Sequence, residues 1–426
     1  MTEKLIQRPE YLEKLKKWST DSELIKIITG VRRCGKSKLL VLFERYLLES
    51  GVDKSQIHHI DLDLMDNAYL LDSMKLYKHV LGLLVPNKLN YVFLDEIQMV
   101  PDWPKVANSL RDKGNIDLYL TGSNAYMFSS KLSTLVGGRY IEIKMQPLSF
   151  KEYVDGIRGF DEFGLLDGSV GHTMVTPNIM VDYQNYIIQS GFPQTLKYHG
   201  DMEQITDYLI NSVYNNTINK DIVARYNLRN PAKLAEVVKF IFDNISKETN
   251  MTNIEQALHG MVSNDTINKY INGLLESYML YRCDRIDLKG KKILNSTPKY
   301  YVCDVGLRQA LLGRKIGDVG KILENVVYLE LIRRGYSVYV GKIPKQSPDG
   351  ERKLLEVDFV ATKDNGIVEY YQVSKSMADE KVLEREIRSL KEIDDNYPKY
   401  ILTLDNDSGV VDGVHQLNAI AWLLAK

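Results

Sequence analysis

The chain has 426 residues, of which 44% are hydrophobic and 26% are charged. This composition is typical of folded globular proteins and excludes a disordered chain, and the length predicts roughly two to four domains. The formal net charge of −1 provides no overall attraction to nucleic acid or to an anionic membrane, so such binding would need a local patch.

The cysteines and the first residues predict a cytoplasmic protein. Cys34, Cys283 and Cys303 lack the spacing of metal ligands, and their odd number argues against a disulfide framework. The chain starts with charged residues instead of the apolar core of a signal peptide. Because no apolar run approaches the ~20 residues that span a bilayer, we expect a reducing compartment and no membrane partner.

The first predicted element is a short charged helix over residues 9–18, which leads into an apolar strand near residues 24–28. Arg8 and Tyr11 lie where such a segment could cover a nucleotide base. Charged and amphipathic side chains of this kind are more often exposed to solvent. We therefore interpret both residues as part of a solvated helix.

Residues 30–37 form the pattern G-x-x-x-x-G-K-S, which we call the phosphate loop, and residues 37–48 after it predict a helix. In a strand–loop–helix unit, backbone N–H groups and the helix N-terminus hold phosphate oxygens. Lys36 is predicted to reach the β- and γ-phosphates, and Ser37 to bind Mg²⁺. The less favoured alternative is a glycine turn with a solvated lysine. The predicted nucleotide-binding residues are Gly30, Val31, Arg32, Arg33, Cys34, Gly35, Lys36, Ser37 and Lys38.

A second buried strand, residues 91–94, ends in Asp95 and Glu96. Four apolar residues before two carboxylates predict a parallel strand that delivers acidic groups to the carboxyl edge of a sheet. Asp95 is predicted to hold Mg²⁺, and Glu96 to orient or deprotonate the attacking water. Such pairs are often only structural, but downstream of a phosphate loop we interpret this one as functional.

The next strand, residues 118–121, is followed by Asn124. Asn124 is predicted either to sense the γ-phosphate or to cap a helix that begins at residue 125. Arg139 precedes a strand over residues 141–145. It either reaches the nucleotide of a neighbouring subunit, which would require a homo-oligomer, or is a surface arginine.

These motifs together resemble the prokaryotic AAA-type ATPases, and more narrowly the group with a nuclease-like C-terminal domain. The resemblance is carried by residues 30–37, 94–98, 121–124, 138–140 and 147–153. It implies an α/β AAA core with a parallel five-stranded sheet in residues 1–200. It also implies that Pro193 contacts the adenine ring, although a Gly-Pro helix stop explains the same residues.

The middle of the chain predicts a loop insertion at residues 154–178 and a helical region at residues 201–315. Two helices and the strand pair 279–286 and 292–303 suggest a winged helix-turn-helix. It is either a DNA-binding surface or an interdomain lid, and we favour the lid slightly. The basic residues of the predicted wing are Arg282, Arg285, Lys289, Lys291, Lys292 and Lys299.

Residues 316–426 alternate helix and strand and resemble the restriction-endonuclease-like core. By position, the resemblance implies the metal ligands Glu324, Asp358 and Gln372. Ser374 stands where a lysine is expected, and the adjacent Lys375 should point away because strand residues alternate between faces. We therefore predict a weak or inactive nuclease whose domain binds DNA or a protein partner.

The sequence thus predicts a cytoplasmic ATPase that uses ATP and Mg²⁺ to drive or switch its winged-helix and nuclease-like domains, with an unidentified protein client. A nucleotide-gated DNA-binding module, for example in defence, and a working metal-dependent nuclease are the alternatives.

Overall fold

The computed structural model describes residues 5–124, 137–160, 177–228, 230–260, 262–290, 292–313, 317–346 and 352–425. The chain divides into two compact units. The first contains Met1–Pro147 with the short segments Phe192–Gln194 and Glu276–Tyr278, and the second contains the remaining residues. None of the described helices is long and apolar enough to cross a membrane. Cys34, Cys283 and Cys303 are buried.

The described part of the first unit contains a sheet of five parallel strands, which confirms the predicted core. The strands are β1 (Ile25–Thr29), β2 (Ile57–Asp61), β3 (Asn90–Asp95), β4 (Ile116–Gly122) and β5 (Tyr140–Lys144). They lie in the order β2-β3-β4-β1-β5. The central strands β1, β3 and β4 are buried along their whole length, as expected for apolar strands that are covered on both faces.

Helices cover this sheet and complete its core. They are α1 (Pro9–Trp18), α2 (Lys36–Glu49), α3 (Ser73–Leu83) and α4 (Trp103–Arg111). The apolar spacing of residues 65–84 predicts a single helix, but the structure has a 3₁₀ segment, Met65–Leu71, followed by α3. The Asp72 side chain accepts a hydrogen bond from the backbone N–H of Lys75. This N-cap starts a new helix and explains the interruption.

The described chain after Pro147 is mainly helical up to residue 276, and from residue 201 onward this agrees with the predicted helical region. The predicted loop over residues 154–178 is wrong at both of its ends, because helices cover Phe150–Phe160 and Pro177–Gln189; residues 161–176 lie outside the described residues. The further α-helices are Met202–Asp207, Ala224–Tyr226, Pro231–Asp243, Met251–Ala257, Asn264–Glu276, Val305–Leu312, Val319–Arg333, Glu380–Lys391 and Ala419–Leu424. Tyr208–Tyr214 and Thr217–Val223 are π-helical.

The second unit contains a mixed sheet of eight strands among its described residues. These strands are β6 (Leu280–Asp287), β7 (Lys292–Val302), β8 (Ser337–Gln346), β9 (Arg352–Thr362), β10 (Val368–Val373), β11 (Lys399–Thr403), β12 (Gly409–Val411) and β13 (Val414–Asn418). Their order is β12-β13-β11-β10-β9-β8-β6-β7. The hairpin β6–β7, predicted as a wing, therefore forms one edge of the sheet that also contains the C-terminal strands. An isolated hairpin is only marginally stable, and pairing with β8 supplies the further hydrogen bonds that it needs.

Candidate functional site

Three of the predicted groups meet at one edge of the first sheet. The phosphate loop follows β1, Asp95 ends β3, and Asn124 follows β4. Because the strands are parallel and β4 lies between β1 and β3, their carboxyl ends share this edge. Asp95 and Asn124 are both buried.

The two glycines of the phosphate loop have conformations that other residues would not adopt. Gly30 has φ +147°, and a Cβ atom there would collide with the carbonyl oxygen of Met145. Gly35 has φ +108° and precedes α2, whose N-terminus has no side-chain cap. A helix N-terminus without a side-chain cap is a position at which proteins bind anionic ligands.

Lys36 is buried and folds back onto its own loop. Its ammonium group donates to the carbonyl oxygens of Gly30 at 3.0 Å and Val31 at 3.3 Å. The next two residues, Ser37 and Lys38, are exposed. A lysine that donates to neutral carbonyls can exchange these contacts for the stronger charge-assisted bonds that a phosphate offers.

Thr121 connects the two acidic residues at the end of β3. Its hydroxyl donates to the Asp95 carboxylate and accepts from the backbone N–H of Glu96 at 2.9 Å. Gln98 donates through its side-chain amide to the Glu96 carboxylate, and Glu96 itself has φ +55°. Thr121 and Gln98 lie within the motifs that carry the resemblance, but their local sequence predicts no role for either side chain.

The expectation that Arg8 and Tyr11 belong to a solvated helix is wrong. Arg8 is buried, and its guanidinium donates to the carbonyl oxygens of Cys34 at 3.0 Å and Gln146 at 2.8 Å. The buried Tyr11 hydroxyl accepts from the backbone N–H of Gln146 at 3.1 Å. Backbone groups of the phosphate loop and of the segment after β5 thus satisfy buried polar side chains that would otherwise remain in water.

The Cys34 thiol lies within the field of the surrounding charges. Burial raises its pKa, and the charge of Glu96 acts in the same direction, while Lys36 and Arg8 act against it. These groups are therefore close enough to influence one another electrostatically. The pKa shift disfavours the thiolate, so Cys34 acts as a buried packing residue of the loop.

Pro193 lies beside the phosphate loop. Its side chain is 3.7 Å from the position that a Cβ atom would take at Gly35. The preceding helix ends at Gln189, so the same segment also stops a helix, as the alternative interpretation predicts.

Arg139 lies at the opposite edge of the sheet from its own phosphate loop. Its carbonyl oxygen accepts from the backbone N–H of Ile25 at the amino end of β1, and its side chain is exposed. The five residues of β1 separate the two edges by roughly 15 Å at ~3.3 Å per residue. Arg139 therefore does not line the edge at which Lys36 and Asp95 lie.

Two of the three residues predicted as nuclease metal ligands, Glu324 and Asp358, lie around a lysine. Lys299 Nζ lies 3.0 Å from Glu324 Oε1, 2.8 Å from Glu356 Oε1 and 3.7 Å from Asp358 Oδ1. We call these four side chains the acidic centre. Among the described residues, no group of three or more His, Cys, Asp or Glu side chains is arranged to hold a metal ion.

The charges in this centre shift its pKa values in opposite directions. Burial and the neighbouring Glu324 raise the pKa of Asp358 to about 8, while Lys299 acts against this shift. Although burial opposes the change, Lys299 and Lys342 lower the pKa of Glu356 to about 2. The ammonium groups therefore favour the ionised form of Glu356, whereas burial and Glu324 disfavour ionisation of Asp358.

The predicted metal ligand Gln372 makes hydrogen bonds to the chain beside the acidic centre. Its Oε1 accepts from the backbone N–H of Asp358 at 2.8 Å, and its Nε2 donates to Glu386 at 2.7 Å. Since the Asp358 N–H is a donor, the atom facing it must be the amide oxygen. That oxygen is then engaged with the backbone. Lys375 is exposed, as strand alternation predicts.

Only some of the basic residues of the predicted wing are exposed to solvent. Arg285 and Lys299 are buried, and Arg285 pairs with Glu248. Arg282 pairs with Asp284 at 2.7 Å, Lys289 and Lys292 are exposed, and Lys291 lies outside the described residues. The spacing of charges along a hairpin could not distinguish exposed lysines from lysines that point at acidic neighbours.

Residues 22–154 match the family model of an AAA domain, and residues 180–316 match a domain of unknown function (DUF8612). An uncharacterised protein of Methanocaldococcus jannaschii is 27% identical, over 96% of this chain and 89% of that protein. Among solved structures, AMPPCP-bound DnaA from Aquifex aeolicus is similar with a TM-score of 0.30 and 11% identity, over 62% of this chain and 86% of that chain.

The AAA match supports an AAA-type nucleotide-binding ATPase domain in the first unit. An uncharacterised protein of Haemophilus influenzae is 31% identical over 430 residues, which cover 100% of both chains. The protein therefore belongs to the same family as this Haemophilus influenzae protein, and its residues 22–154 are an AAA domain.

Proposed function

We propose that the first unit binds ATP with Mg²⁺ and hydrolyses it by attack of water on the γ-phosphate. The observation that carries the proposal is the shared sheet edge. The uncapped N-terminus of α2 and Lys36 lie at the same edge as the Asp95–Glu96 pair. An anion site beside two carboxylates is what a Mg²⁺–phosphate substrate requires.

Each side chain then has a defined role. The Lys36 ammonium exchanges its carbonyl contacts for the β- and γ-phosphate oxygens and offsets the charge that develops during transfer. Glu96 accepts a proton from the attacking water, and Thr121 holds the backbone N–H that fixes its position. Asn124, buried at the end of β4, contacts the γ-phosphate or the water.

The residues present fit a magnesium ion. The exposed Ser37 hydroxyl and the buried Asp95 carboxylate supply the oxygen ligands that Mg²⁺ prefers. A Mg²⁺ ion held by these two groups would neutralise phosphate charge. Pro193, beside Gly35, is placed to contact the adenine ring.

Arg139 has a catalytic role only in an oligomer. It lies at the sheet edge away from its own phosphate loop, and its side chain is exposed. It would therefore stabilise charge on the nucleotide of a neighbouring copy. The nucleotide state would in turn switch the helical region and the C-terminal sheet for a protein client in the cytoplasm.

The test is steady-state ATP hydrolysis by the purified full chain with Mg²⁺. The variants are Lys36→Ala and the matched control Lys78→Ala, which removes an exposed lysine of α3. We expect turnover in the wild type and the control, and a loss of about 100-fold or more in Lys36→Ala. Equal turnover in Lys36→Ala and wild type would overturn the proposal.

The same assay with duplex DNA tests the second candidate function, a DNA-coupled switch. The exposed Lys289 and Lys292 favour it, while the burial of Arg285 and Lys299 removes charge from that surface. Stimulation by DNA that falls with added salt, and is absent from a Lys289→Ala/Lys292→Ala variant, would support DNA coupling. Turnover that is indifferent to DNA would leave a protein client as the partner.

A further inference from the structure

The Lys299 side chain ends inside a ring of carboxylates. Only 4% of this side chain is exposed, and its three nearest acidic oxygens belong to Glu324, Glu356 and Asp358. An ammonium group has three N–H donors. The number of acidic neighbours thus matches the number of hydrogens that Lys299 can offer.

Each of these carboxylates also accepts from a second donor within the protein. The Tyr301 hydroxyl donates to Glu324 Oε1 at 2.7 Å. Lys342 Nζ donates to Glu356 Oε2 at 2.6 Å. The backbone N–H of Val373 donates to Asp358 Oδ2 at 2.9 Å. The acceptors of the acidic centre are therefore satisfied by groups of the chain itself.

A divalent cation would have to displace Lys299 from this arrangement. Divalent metals bind carboxylate oxygens at roughly 2.0–2.6 Å, so they need the space that the ammonium now occupies. The amide oxygen of Gln372, the remaining predicted ligand, already accepts from the Asp358 backbone. A cation beside Lys299 would also face the repulsion of a like charge at short range.

We propose that Lys299 is the resident cation of the acidic centre, that the centre holds no divalent metal, and that this part of the chain does not cleave nucleic acid by a metal-dependent mechanism. The acidic centre is then an internal ion cluster that joins β7, β9 and the helix Val319–Arg333. The inference does not depend on ATP hydrolysis by the first unit.

Mn²⁺ binding to the full chain without nucleotide tests the proposal. All proteins carry Asp95→Asn, which removes the metal ligand proposed for the first unit. The probe is the electron paramagnetic resonance signal of free Mn²⁺. We expect no Mn²⁺ bound at the centre of this parent protein. In Lys299→Met, which frees the three carboxylates, we expect Mn²⁺ affinity to rise about tenfold or more above the parent.

The control is Lys289→Met, which removes an exposed lysine near the tip of the same hairpin and should behave as the parent. A folded Lys299→Met that gains no Mn²⁺ binding would overturn the proposal. If Lys299→Met does not fold, the comparison of the parent with Asp358→Asn decides the matter. Mn²⁺ bound by the parent and lost in Asp358→Asn would show that the centre accepts a metal despite Lys299.

Discussion

The site at the phosphate loop and the acidic centre differ in the partners of their buried lysine and carboxylate groups. In the first unit, Lys36 donates to two neutral carbonyl oxygens, and Asp95 accepts from the uncharged hydroxyl of Thr121. In the second unit, Lys299 and its acidic neighbours neutralise one another. The chemical groups are the same, but their partners differ.

This difference indicates which charges are reserved for a ligand. A buried charge without a counter-charge lowers the stability of the folded protein. A fold that keeps such a charge therefore gains part of its electrostatic stabilisation only when a ligand binds. A cluster whose charges already pair has no such need. Removing a charge from the first site should therefore reduce activity, and removing one from the acidic centre should reduce stability.

The largest expected effect is the loss of stability in Lys299→Met. This change leaves buried carboxylates without their cation, and we expect the free energy of unfolding to fall by about 3–5 kcal/mol. Urea unfolding measures the loss, with Lys289→Met as the exposed control, which should stay within about 0.5 kcal/mol of the wild type. At urea concentrations too low to unfold it, Lys299→Met should hydrolyse ATP at the wild-type rate. Equal stability of Lys299→Met and Lys289→Met would contradict the stabilising role of the acidic centre.

The second effect is the loss of turnover in Glu96→Gln. Glutamine keeps the shape of the side chain but cannot accept a proton, so we expect kcat to fall by about 100-fold, which corresponds to roughly 3 kcal/mol. ATP should still bind, and urea unfolding should be unchanged. Single-turnover hydrolysis and ATP binding are measured together, beside Glu49→Gln at the exposed end of α2. Unaltered turnover would remove Glu96 from the mechanism.

The third effect is a pH-dependent contribution of Glu356 to the stability of the folded protein. Its pKa is lowered from 4.5 to about 2 in the folded protein, so its stabilising contribution is present above the unfolded value and lost as the pH falls toward 2. We expect Glu356→Gln to be less stable than wild type by about 2 kcal/mol near neutral pH. This difference should shrink between about pH 5 and pH 2.

Urea unfolding across this pH range measures the difference, and Glu384→Gln, at an exposed position, is the control that should show none. Asp358 does not distort the comparison, because its raised pKa keeps it protonated in both folded proteins over this range. A stability difference between wild type and Glu356→Gln that stays constant with pH would show that Lys299 and Lys342 do not hold Glu356 ionised.

The smallest effect is expected for Thr121→Val, which removes the hydroxyl between Asp95 and Glu96 without changing the size of the side chain. The loss of a hydrogen bond to a charged group should lower kcat about tenfold, or roughly 1.4 kcal/mol. The KM for ATP should not change, because Thr121 positions other groups. Thr121→Ser should restore kcat, and failure of this rescue would indicate that the methyl group matters instead.

The main groups of the site at the phosphate loop could be predicted because they lie in short contiguous sequence motifs. The phosphate loop needs glycines at fixed positions for its backbone conformation, and an apolar strand that ends in two carboxylates is contiguous in sequence. Contiguity fixes the relative placement of such groups before any tertiary contact forms. The resemblance to AAA-type ATPases implied the parallel five-stranded sheet, in agreement with the alternation of strand and helix in the sequence.

The partners of Arg8, Thr121 and Lys299 were decided by the tertiary structure alone. Arg8 meets Gln146, Thr121 meets Asp95, and Lys299 meets Asp358, each at a distance in sequence that no periodicity spans. A lysine in a hairpin has the same local pattern whether it faces water or an acidic cluster. In the sheet order β8 and β6 lie between β9 and β7, so neither the sequence nor strand pairing predicts that Lys299 reaches Asp358. Only the three-dimensional packing of the second unit places the acidic residues around an ammonium group.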